Sequence, residues 1–161
     1  MTGTERGFHG EKRKDRLIHE HIHDPYRDRE KIKEPAFCPD CSAVRDNGRW
    51  RRGDRPAGAH EDLCPACRRI NDRCPAGNLN LGGNFLKEHR SEIIGLAQNE
   101  EQKEKGEHPL HRIIRIEEGD DSIEDIHLPR RIGEALHKAY GGSLDFHYEE
   151  EAYFLRVKWN R

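Results

Sequence analysis

Four cysteines carry the clearest chemical signal in this 161-residue chain: Cys38 and Cys41 in CPDC, and Cys64 and Cys67 in CPAC. A Cys-x-x-Cys pair sets two thiolates on one tight turn, facing a common point. Two such turns make a four-sulfur tetrahedral cage, the usual closed form of a structural zinc site. The spacer from Ser42 to Leu63 is 22 residues, a little longer than the ~15–20 typical of zinc ribbons, so its hairpin is expected to carry a longer tip. Pro39 and Pro65 follow the first cysteine of each pair and fix φ there. Rubredoxin-like iron uses the same ligands and is the alternative metal. A closed cage leaves no coordination position for a substrate, so its expected role is to hold a fold. Other uses of these thiols fit less well. Disulfides suit a secreted chain, and the opening MTGTERGFHGEKRKDR has no apolar signal segment. A redox Cys-x-x-Cys would be a single pair beside a βαβ pattern.

The elements that position the cage must be short of core. Hydrophobic residues make up 32% and charged residues 37%, with a mean hydropathy of −1.12. That composition cannot fill one large core, so part of the chain is expected to be disordered and the metal to supply folding free energy. Without a run of about 18 apolar residues no membrane span is expected. Reduced thiols around a metal suit the cytoplasm. Charge is uneven: residues 1–37 sum to +1, 38–81 to +2 and 82–161 to −5.

Residues 1–36 read as a disordered, solvated, charged tail. His19, His21 and His23 alternate there, a pattern open to a second metal site, but an exposed histidine-rich stretch is the simpler reading. Tyr26, Ile32 and Phe37 are candidates to fold back. The zinc ribbon is expected over 37–83. Ala43-Val44-Arg45 and Arg49-Trp50-Arg51 flank Asp46-Asn47-Gly48, a hairpin signal. Arg45, Arg49, Arg51, Arg52 and Arg55 surround Trp50, and Arg68 and Arg69 follow CPAC. Arginines interleaved with an aromatic ring suit phosphate contact with base stacking. The RNA-binding set is therefore Arg45, Arg49, Trp50, Arg51, Arg52, Arg68 and Arg69, although Trp50 also fits as core over the cage. Asn78 to Leu81 reads as a third ribbon strand. Cys74 is an unassigned fifth thiol, treated as a small, partly buried residue. Gly82-Gly83 lacks a following Gly-Lys-Ser/Thr and is no phosphate loop.

A connecting helix follows over 84–106, with Asn84 as N-cap and Phe85, His89, Ile93, Leu96 and Ala97 as its apolar stripe. Gly106 and Pro109 end it. Residues 107–161 read as a β-β-α-β-β domain. Leu110 to Glu117 and Ser122 to Ile126 are its first strands. Leu128 to Tyr140 is a helix with Pro129 at its start and Gly141 past its end. Two alternating strands, through Leu144, Phe146, Tyr148 and then Tyr153, Leu155, Val157, Trp159, close the chain. The fold class is thus α+β: a four-Cys ribbon, a linking helix and a small sheet with one covered face. His108, His111, His127, His137 and His147 look scattered, with no acid–base or nucleophile arrangement, so no enzyme is expected.

Taken together, CPDC-SAV, NGRW, CPACRRI, PAG, the Phe85 helix and HPLHRI resemble a family of small bacterial zinc-ribbon proteins. That family is itself similar to the N-terminal zinc-binding region of the nonsense-mediated-decay-protein-three adaptors of the large ribosomal subunit. The resemblance runs from about Pro25 to the C-terminus, and its link to the adaptors rests mainly on the cysteine pairs. It implies one Zn2+ on Cys38, Cys41, Cys64 and Cys67 and an rRNA or ribosome partner. The acidic C-terminal domain would then meet protein. The chain departs from the familiar knuckle, which has Gly after its second cysteine, because Ser42 and Arg68 stand there.

Overall fold

The computed structural model describes residues 24–27, 32–117, 122–150 and 152–161. His19, His21 and His23 lie outside these residues. Among the described residues, two small sheets and three helices make a mixed α+β architecture.

The first sheet holds β1 (Ala36–Phe37), β2 (Ala43–Asp46), β3 (Arg49–Arg52) and β4 (His60–Glu61), in the order β3-β2-β1-β4. Asn47 and Gly48 take φ of 51° and 77°. Two left-handed residues in a two-residue loop match the twist of the flanking strands. Arg45 therefore pairs with Trp50 across β2 and β3. A short helix, α1 (Pro65–Asn71), follows. The core here is small: Ala36, Cys38, Ala43, Trp50, Cys64, Ala66, Cys67 and Ala76, with Leu110 and Ile114 packed in from farther along the chain. Alanines and cysteines bury little area, so this unit cannot rest on hydrophobic burial alone.

The second sheet runs β6 (Arg112–Ile116), β7 (Ser122–Ile126), β5 (Gly77–Gly82), β9 (Phe154–Asn160) and β8 (Ser143–Glu149), in that order. The strand expected to close the ribbon, Asn78 to Leu81, is instead the centre of this sheet. It pairs antiparallel with β7 and parallel with β9. The ribbon sheet thus ends at β4, and the β-β-α-β-β pattern gains a fifth strand from upstream. Leu79 and Leu81 alternate inward; alternation fixes which face is apolar but not which strand lies alongside.

Two helices, α2 (Asn84–Glu104) and α3 (Pro129–Tyr140), cover one face of this sheet. Leu86, Ile93 and Ala97 of α2 meet Leu128, the N-cap of α3, and Ile132 and Leu136 within it over Leu79, Ile123, Val157 and Trp159. The expected stripe of α2 holds for Ile93 and Ala97, with Phe85 and Leu96 partly buried against the same core; Leu86 joins it, while His89 leaves helical geometry and stacks on Phe85. Asn84 is not the N-cap. Gly83 takes that place at φ 97°, with no side-chain cap, and the Arg161 carbonyl accepts from Phe85 N–H at 3.0 Å. A Cβ on Gly83 would stand 2.0 Å from that same oxygen, so only glycine permits the last strand to cap this helix.

Asp125 on β7 is fully buried. Its Oδ1 accepts from Leu128 N–H at 2.9 Å and fixes the turn into α3, while Oδ2 has no partner among the described residues. Burial pushes its carboxyl well above the usual range, with Glu101 adding to the rise. A raised folded-state pKa means that stability is full below the unfolded value near ~4 and declines as pH rises through the folded value. Asp125→Asn keeps the Oδ1 acceptor and should be more stable than wild type at pH 7. Urea titrations from pH 7 down should show that advantage shrinking toward pH 4. An advantage that does not vary with pH would contradict the assignment.

The charged tail is not wholly free of the fold. Tyr26 O–H donates to Asp72 at 2.7 Å and Asp24 pairs with Arg69, so residues 24–27 dock on α1.

Candidate metal centre

The first cysteine pair sits on the turn joining β1 to β2. Cys38 N–H donates to Ala43 C=O, and Ser42 N–H to Cys38 C=O, each at 2.8 Å. This closure puts Ser42 at φ 62°, the left-handed region where glycine is favoured. The missing glycine therefore leaves the turn intact at the cost of backbone strain, about 1–2 kcal/mol. The second pair is built differently. Cys64 is the N-cap of α1, Pro65 opens the helix, and Cys67 lies in its first turn. Arg68 then follows in ordinary helical geometry, so no glycine is needed there.

Backbone N–H groups aim at sulfur from both halves. Cys67 N–H donates to Cys64 Sγ, and Cys64 N–H donates to Cys38 Sγ, each at 3.4 Å. All four Sγ atoms lie within 4.8 Å of one another, and Cys41 and Cys64 are 3.6 Å apart. A tetrahedron with metal–sulfur bonds of about 2.3 Å has edges of about 3.8 Å. The four cysteines are thus positioned to bind a metal ion, and the donor set is compatible with zinc. All five cysteines are free, Cys74 being exposed rather than partly buried.

Arg112, at the start of β6, was not singled out from the sequence. Its guanidinium donates to Cys64 and Cys67 sulfurs at 3.6 Å each, and Nε donates to Pro109 C=O at 2.9 Å. A cation beside four thiolates offsets the net −2 that a divalent ion would leave, and ties the cage to the second sheet. Its one sequence trace is the arginine of HPLHRI, which nothing local marks as facing sulfur. Arg112→Ala should weaken metal affinity about 10–100-fold in chelator competition, since outer-shell partners have effects of that size. Arg112→Lys, keeping charge without the fork, should fall between.

Electrostatics in the cluster are shared. The hydrogen bond from Cys64 brings the Cys41 thiol down to about 4, helped by Ala43 N–H and Arg112. Cys64, as that bond's donor in a buried place, is pushed up, and burial raises Cys67 to about 11. Without metal, one thiolate is held by its neighbours' protons; a divalent ion replaces them, so binding releases protons and weakens in acid. Cys41 is the least buried ligand. It borders a cavity of about 220 Å³ with Ala43, Arg52, Lys105, Pro109 and Arg112.

The seven proposed RNA contacts do not share one surface. Trp50, 9% exposed, belongs to the ribbon core. Arg69, 3% exposed, pairs with Asp24 at 2.6 Å, donates to Cys74 C=O and lies over the Tyr26 ring at 4.4 Å. It is part of the scaffold, and its burial rules out phosphate contact in this fold. Arg45 is half-buried against Glu34, and Arg68 is paired with Asp62 at 2.8 Å. Arg49, Arg51 and Arg52 remain exposed on edge strand β3, with Arg51 beside Asp46.

No family model, curated protein or solved structure matches this chain. Among the described residues no helix is long and apolar enough to cross a membrane.

Proposed function

We infer that the protein is a non-catalytic zinc-folded adaptor that binds RNA through the exposed edge of its ribbon. The supporting observation is edge strand β3, whose outer side has no paired strand among the described residues. It carries Arg49, Arg51 and Arg52 in succession around buried Trp50, with Arg55 exposed in the loop beyond. Zinc is the ion this reading assigns to the four sulfurs, because a closed thiolate set with N–H···S bonds suits a structural ion. The resemblance to bacterial zinc ribbons and, distantly, to ribosome adaptors points to rRNA or the ribosome as partner. Four reduced thiols suit a cytoplasmic setting.

The test is fluorescence anisotropy with a single-stranded RNA across a salt series. Arg49→Ala/Arg51→Ala/Arg52→Ala should lower affinity and flatten the slope of log K against log salt by about 2, roughly 0.7 per phosphate contact. Unchanged affinity and slope would remove the RNA reading.

A protein-binding reading has its own observation. Phe146 and Tyr148, 44% and 50% exposed, lie on edge strand β8, with only Arg130 of α3 reaching over the Phe146 ring among the described residues. An open strand with exposed aromatics can accept a partner strand. Binding that survives nuclease and falls with Tyr148→Ser would favour this reading.

A further inference from the structure

Three of the histidines that look dispersed in the sequence come together at the junction of the two sheets. His108 and His111 bracket the Pro109-Leu110 step after α2; their rings stack with centroids 4.8 Å apart and planes 22° from parallel. His127 arrives from the turn between β7 and α3, its ring 5.5 Å from that of His111 and tilted by 57°. His108 and His127 are exposed, so the group opens to solvent.

What lies behind the rings gives them chemistry. Nδ1 of His111 is 3.2 Å from Oε2 of Glu104, and the other Glu104 oxygen is held by Arg131 of α3. A carboxylate so held can only accept, so Nδ1 carries the proton and the Nε2 lone pair faces away from Glu104. That carboxylate–imidazole pairing is the usual support behind a metal-bound histidine: it fixes the tautomer and raises ligand basicity. A second feature is independent of it. His127 sits at φ 66°, a left-handed conformation that is strained for a residue with a Cβ. Asparagine or glycine would occupy it more easily, yet the residue held beside His111 is a third imidazole. Strain of this kind concentrates at functional sites.

We propose that His108, His111 and His127 form a second metal site, for a divalent first-row transition ion, with Glu104 positioning His111. Imidazole nitrogen suits Zn2+, Co2+, Ni2+ and Cu2+, whereas the cysteine cage offers only sulfur. The stacked rings must turn about their side-chain torsions for their nitrogens to converge on one ion. Three nitrogens leave a coordination position for an exogenous ligand, which the four-sulfur cage does not. This site does not depend on RNA binding.

The experiment uses the full chain with one zinc in the cage, titrated with Co2+ and followed by visible absorption and equilibrium dialysis. Wild type should take up one further Co2+ with a d–d band and no sulfur charge-transfer band. His111→Ala/His127→Asn should weaken that uptake by at least about 100-fold, and Glu104→Gln by about 10–100-fold. Asparagine at position 127 tolerates the left-handed backbone, and the zinc retained by each variant reports that the ribbon is intact. Should the double variant lose its zinc, His127→Asn alone carries the same expectation. His19→Ala/His21→Ala/His23→Ala should leave the uptake unchanged. No further Co2+ in wild type, uptake that survives the double substitution, or uptake lost with the triple variant would each overturn the proposal.

Discussion

Stripping the metal from the cage with a strong chelator should unfold the ribbon, from Ile32 to about Cys74, while much of the five-stranded sheet survives. The ribbon's buried set is dominated by alanines and cysteines, with Trp50 and Val44 as its larger members. Ordering each residue costs about 1–2 kcal/mol of backbone entropy, which so few apolar groups cannot offset. Structural zinc in small domains contributes about 10–16 kcal/mol of apparent binding free energy at pH 7. Its loss should exceed the effect of any single side-chain change outside the four ligands. The second sheet has its own core, including Leu79, Ile93, Ile132, Leu136 and Trp159, and should hold without metal. Amide exchange on the metal-free protein would separate the two, with β1 to α1 fast and β5, β9 and α3 slow. Cys64→Ser should behave as the chelated protein does. Slow exchange throughout the metal-free ribbon would show that the cage does not fold it.

Arg69→Ala should destabilise the protein by about 3–5 kcal/mol without direct loss of any RNA contact. The guanidinium is almost wholly buried and paired with an Asp24 side chain that is 17% exposed. Removing one partner of such a pair strands the other, and the uncompensated charge sets the size of the effect. The Cys74 carbonyl and the Tyr26 ring lose their partner too. Arg49→Ala on the exposed edge should shift stability by no more than about 0.5 kcal/mol. Chemical denaturation of the two variants gives the comparison directly. An Arg69→Ala protein as stable as wild type, with weakened RNA binding, would contradict its place in the scaffold.

These two arginines show where sequence stops being informative. Arg45 to Arg69 is rich in guanidinium groups, and composition alone suggests one basic face. Direction is what composition lacks: Arg69 points inward only because residues 24–27 fold back over α1, a contact 45 positions away. Local signals fared better. The Asn47-Gly48 hairpin, the Pro129-to-Gly141 limits of α3 and the shared faces of β8 and β9 follow from short-range chemistry and stand where expected, except that Tyr153 falls in the turn before β9 and Phe146 and Tyr148 are exposed. The placement of β5 did not, since its period-2 pattern suits either sheet and only long-range pairing decides. At the cage, ligand identity was readable from the spacing. The helical setting of Cys67 and the approach of Arg112 were not, because the first depends on Pro65 opening a helix and the second comes from another sheet.

X-ray absorption at the metal edge of protein carrying one equivalent of metal tests the central assignment most directly. The four-cysteine account expects zinc with four sulfur neighbours at about 2.3 Å. A shell mixing sulfur with nitrogen or oxygen, or protein that retains no stoichiometric metal, would contradict it.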